Sequence, residues 1–84
     1  MKIIIIDAKR FTSKSDAHEY LAYSLDFPVY YGKNLDALAD CLSELPRATA
    51  VIIKNVADAS EFAKPIFEVF DEILEKDFRI LYLS

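Results

Sequence analysis

One glycine, one cysteine, one histidine and no tryptophan set the first limits on what these 84 residues can do. With Gly32 alone, the chain lacks the spaced glycines of a P-loop or a dinucleotide-binding fingerprint, where the backbone must approach phosphate at several points. With Cys41 alone it cannot close an internal disulfide, which suits a reducing compartment. His18 reads as lying on the polar side of a helix with no serine or cysteine partner, which argues against a histidine-based triad. No apolar run approaches the length of a membrane span. The opening run of Met1, Lys2 and four isoleucines before Asp7 is too short for a secretory leader and shows no cleavage pattern. These absences together imply a cytoplasmic protein without a membrane partner. Positive charge is also scarce: 10 Lys and Arg against 14 Asp and Glu give a net charge of −4. The cations are scattered, their only adjacent pair being Lys9-Arg10, so nucleic acid is repelled and a basic protein is the better electrostatic partner.

What the chain does contain is apolar bulk, 54% of its residues, and 13% of them aromatic, enough for one small core. No Ser-, Pro- or Gly-rich stretch divides it and no repeat appears, so residues 1–84 read as a single domain, monomeric when free. Ile3 to Ile6 and Thr49 to Lys54 are continuous β-branched runs, the pattern of strands covered on both faces, and Arg79 to Leu83 is a third candidate strand. Between the first two, Ser13 or Ser15 can cap a helix running to about Leu25, with Ala17, Tyr20, Leu21 and Leu25 on one stripe. A second helix spans Asn34 to about Leu45, ended by Pro46. After the second strand, 55–63 can form a short helix, and Pro65 fits the first position of a longer one reaching Lys76. Strands alternating with helices predict an α/β fold: a small three-stranded parallel sheet with about four helices.

The informative segment is the second helix. At about 100° per residue, Leu35, Leu38, Leu42 and Leu45 form its buried stripe while Asp36 and Asp40 fall nearly opposite, one turn apart. Ala39 and Ser43 flank the two carboxylates, so this face combines acid with small neighbours and can approach another protein closely. Within the segment Asn34 to Leu45 neither Asp has a cation at helical spacing, and like charges at i, i+4 cost about 0.2 to 0.5 kcal/mol. Just before the helix come Tyr30, Tyr31, Gly32, Lys33 and Asn34. The lone glycine there serves either a positive φ or a close backbone approach. One tyrosine is needed to anchor the loop in the core, and the other is free to act as an interface side chain.

Tyr30-Tyr31-Gly32-Lys33-Asn34-Leu35-Asp36-Ala37-Leu38-Ala39-Asp40-Cys41-Leu42 resembles the YYGxNLDALxDCL segment of the barstar family. The likeness extends over nearly the whole chain, from Ser15-Asp16-Ala17-His18 through Pro28 to Val69-Phe70 and Leu83-Ser84. It implies a stoichiometric, cofactor-free inhibitor whose partner is a basic secreted microbial ribonuclease. On that resemblance Tyr30, Gly32, Asn34, Asp36, Ala39, Asp40 and Ser43 form the partner-binding surface, with Asp40 in the place of a substrate phosphate. A further acidic contact falls on Glu72 if Val69-Phe70 sets the register, or on Asp71 by counting from the C-terminus; the first preserves the buried stripe. Two departures stand out: Lys33 replaces an acidic residue of the family, and Ala39 replaces a tryptophan. The family's second cysteine also has no counterpart, which leaves Cys41 as a small core residue. Two other classes compete with this reading: a non-inhibitory interaction module of the same fold, and a carboxylate cluster of Asp36, Asp40 and Glu44 or Glu72 holding Mg²⁺ or Ca²⁺ for catalysis.

Overall fold

A computed structural model describes all residues from Met1 to Ser84. The β-branched runs form strands β1 (Lys2–Asp7) and β2 (Thr49–Lys54), and the C-terminal run forms the shorter β3 (Ile80–Tyr82). All pair in parallel in the order β1-β2-β3, with Ile4 beside Val51 and Val51 beside Ile80. Three helices complete the fold: α1 (Lys14–Leu25), α2 (Leu35–Ser43) and α3 (Ala63–Leu74).

Ser13, of the two candidate serines, caps α1: its hydroxyl accepts from the Asp16 N–H at 3.1 Å. The helix ends where Asp26 turns left-handed, with φ of 58° and its N–H donating to the Ala22 carbonyl, two residues ahead of Pro28. Its inner stripe buries Ala17, Leu21 and Leu25, and with them His18, which the sequence placed on the polar side. Tyr20 pins the helix to the sheet, its Oη accepting from the Asp7 N–H at 2.8 Å. In α2, Leu38 and Leu42 are fully buried, Leu45 is half-buried just past the helix end, and Leu35 in the first turn stays exposed. Pro65 is the third residue of α3, still within the turn whose N–H groups have no intrahelical acceptor.

The expected fourth helix over 55–63 does not form. Only a 3₁₀ turn, Val56–Asp58, stands there, matched by others at Ala8–Arg10 and Glu75–Asp77. The reason lies in Asn55, which takes a left-handed φ of 60° and makes no cap. Its side-chain amide donates instead to Asp7 Oδ1 at 2.9 Å, tying the end of β2 to the end of β1.

Both crossovers advance in the same direction across the sheet, so their shared right-handedness puts α1, α2 and α3 on one face. Ile6, Val51 and Ile53 point into the core against Leu21, Leu38, Leu42, Ile66, Phe70 and Leu74. Ile3 and Ile5 point the other way and remain exposed, so β1 is covered on one face rather than two. No helix is long and apolar enough to cross a membrane.

Candidate functional site

The loop from Pro28 to Asn34 carries the chain back to the start of α2, and five contacts fix its path. Tyr31 is 8% exposed, packed against Phe27 with ring centroids 4.9 Å apart, and its Oη lies 2.7 Å from His18 Nδ1. Lys33 Nζ donates to Glu19 Oε1 at 3.0 Å. Asn34 caps α2, its Oδ1 accepting from the Ala37 N–H at 2.8 Å, and its Nδ2 donates to the Gly32 carbonyl at 3.3 Å. Gly32 itself does not adopt positive φ; Lys33 does, at 54°. Close approach is what favours the glycine, because a Cβ there would sit 3.2 Å from Asn34 Nδ2, and the capping side chain would have to shift by a few tenths of an ångström to admit it.

On this scaffold Tyr30 is 85% exposed beside a buried neighbour, so the two tyrosines separate as sequence reasoning required. Asp36 and Asp40 stand on the outer face of α2, opposite Leu38 and Leu42. Neither carboxylate forms a hydrogen bond or an ion pair within the chain; the ion pairs are Lys9 with Asp58 and Lys33 with Glu19. Ala39 is half-buried between them. The exposed Ser43 donates its hydroxyl to the Asp40 carbonyl at 2.7 Å. Helix α3 packs against α2, and the two acids considered on it have different surroundings. Asp71 Oδ1 accepts from Tyr82 Oη at 2.7 Å, whereas Glu72 is exposed and unpaired. No three His, Cys, Asp or Glu side chains converge where a metal ion could be held, so Asp36, Asp40, Glu44 and Glu72 do not form a cluster.

Burial also sets the protonation chemistry under the loop. Desolvation, and then the charge of Lys33, hold the His18 pKa below its ordinary value. Desolvation pushes the Tyr31 phenol upward, and both rings stay neutral at physiological pH. Cys41 is likewise pushed up, by burial first and then by Glu44 and Asp40, which makes it a protonated, unreactive thiol. His18 was missed by sequence reasoning because helical spacing alone cannot reveal that a polar ring finds a partner thirteen residues along the chain.

A pH dependence of stability follows from His18. Its folded pKa lies below the unfolded value of about 6.5, so the unfolded state binds more protons in between. Stability is therefore full above about pH 6.5 and falls as pH drops from there toward the folded pKa. Chemical denaturation between pH 7.5 and 5 should show this slope in the wild type and lose it in His18→Gln; equal slopes would show that His18 does not titrate differently on folding.

The family model described as Barstar (barnase inhibitor) matches residues 1–79. A protein of Bacillus subtilis strain 168, named "Putative ribonuclease inhibitor YrdF", is 38% identical over 91 aligned positions that cover 96% of this chain and 98% of that one. A match over nearly the full length, together with the parallel three-stranded sheet and the capped acidic helix, shows that the chain belongs to the barstar family.

Proposed function

We propose that the chain is a stoichiometric inhibitor of a basic, secreted microbial ribonuclease, held in the cytoplasm and acting by filling the enzyme's active site with α2 and the loop before it. One observation carries the reading: Asp36 and Asp40 project from a capped, rigid helix with no partner inside the chain. A site that cleaves phosphodiesters gathers Arg, Lys and His to receive anionic RNA. A helix bearing carboxylates satisfies those cations without offering a scissile bond, and it arrives pre-organised, so little ordering entropy is lost on binding. Tyr30 supplies large amphipathic contact area beside the acids. On α3, Glu72 is the stronger candidate for a further contact, because the Asp71 carboxylate is already engaged by Tyr82. Gly32 and Asn34 shape the rim, and Ala39 and Ser43 keep the helix face low enough for close approach.

Charge should act mainly on encounter. With −4 on this chain and a cationic active site opposite, association is steered at low ionic strength, and near 0.5 M salt, where the Debye length is roughly 4 to 5 Å, the steering is lost. Stopped-flow mixing with the cognate nuclease should show the association rate falling steeply with salt while dissociation changes little. An association rate indifferent to salt would remove the acidic face from the account.

A further inference from the structure

The side of the sheet away from the helices is bare. Because strand residues alternate, the pairing register gathers Ile3 and Ile5 of β1, Ala50 and Ile52 of β2, and Leu81 of β3 onto that side, and Leu83 continues the row beyond β3. Ile3, Ile5, Leu81 and Leu83 are each 47% to 58% exposed. Together with their half-buried neighbours they leave roughly 500 Å² of contiguous apolar surface, near the upper end of what a monomer of this kind exposes.

We infer that this face packs against the same face of a second copy, giving a symmetric dimer with two sheets back to back. Two such faces would remove about 1,000 Å² from water, which reaches the lower bound for a specific interface. Charge selects the orientation. Asp7 and Lys54, paired across β1 and β2, are the charged residues at the end of the apolar row. With strands of the two copies running the same way about an axis along β2, Lys54 would meet its own counterpart. With strands opposed, each Asp7 and Lys54 pair lies at an outer rim in water, and Ala50 of one copy faces Ile52 of the other, small against large. Sheets stack in this aligned manner about 10 Å apart. Arg79 does not intrude, because its guanidinium is turned to the carbonyls of Thr49 and Pro46, at 2.8 Å each. Helix α2 lies on the opposite face of the sheet, so the dimer leaves both acidic helices free. Such a dimer departs from the monomeric free chain expected from sequence, and the oligomeric state decides between them.

Sedimentation equilibrium tests this. An interface at this lower bound fits a dissociation constant on the order of 100 µM, so the wild-type mass should rise from 9.6 kDa toward twice that value between about 1 µM and about 1 mM. Ile5→Lys and Leu81→Lys should each hold the chain at 9.6 kDa, and at about 1 µM, where every form is monomeric, all three should melt at closely similar temperatures because both side chains are already exposed. A wild type that stays at 9.6 kDa throughout overturns the dimer, whatever else the face then binds. A dimer broken by Ile5→Lys but not by Leu81→Lys also overturns it, since that pattern belongs to pairing through the free edge of β1.

Discussion

Asp40→Ala is expected to weaken inhibition of the cognate ribonuclease by about 2 to 5 kcal/mol, roughly thirty-fold to several-thousand-fold in affinity. Asp40 lies in the middle of α2, so of the two helix carboxylates it would be the more completely desolvated in a complex. Most of the loss arises on the other side, where enzyme cations gathered for phosphate are left buried without a counter-charge. Folding should respond with the opposite sign. In the free chain Asp40 is exposed, has no partner and is repelled by Asp36 one turn away, and alanine is the better helix former. The variant should therefore unfold at the same urea concentration as the wild type or slightly higher. Inhibition equal to wild type, or a stability loss above about 1 kcal/mol, would make Asp40 a structural residue and defeat the assignment.

Tyr31→Ala should produce the largest effect on stability, a loss of about 3 to 5 kcal/mol. The ring is buried against Phe27 and His18, and truncation leaves both a cavity and an imidazole nitrogen without its partner. Tyr31→Phe separates the two causes: it keeps the packing and should cost only about 1 to 2 kcal/mol, the penalty of a buried imidazole nitrogen left unpaired. Tyr30→Ala offers the contrast. Its ring is in water, so stability should move by less than about 0.5 kcal/mol while inhibition weakens markedly. Melts and inhibition constants for the three variants decide it, and the reverse pattern would show that the tyrosines exchange roles.

The parts of this molecule that sequence reveals are those governed by period and punctuation. Isoleucine runs marked β1 and β2, the Leu38 and Leu42 spacing set the inner side of α2, and with it the outward position of Asp36 and Asp40 followed. The parts it concealed depend on contacts distant in sequence. His18 looked polar-faced because nothing local announces the Tyr31 phenol that permits its burial. Residues 55–63 looked helical because no local signal shows that the Asn55 amide is engaged by Asp7, forty-eight positions away. The isoleucines of β1 looked doubly covered because a continuous apolar run reads the same whether one face or two is packed, and only the common direction of the crossovers leaves Ile3 and Ile5 bare. The loop before α2 was legible for a different reason. Its motif is specific, but its geometry was read only in part: Gly32 serves close approach, and the left-handed residue is Lys33.

The central claim is that α2 and its preceding loop occupy the active site of a ribonuclease. Its most direct test is to titrate the chain into small basic secreted microbial ribonucleases while following RNA cleavage, with and without a non-cleavable dinucleotide filling the active site. For the cognate enzyme the account expects cleavage to vanish at one chain per enzyme, and complex formation to be blocked in proportion to the dinucleotide bound. Cleavage that persists in every enzyme at large excess of the chain, or a complex that forms equally well on a filled active site, would contradict it.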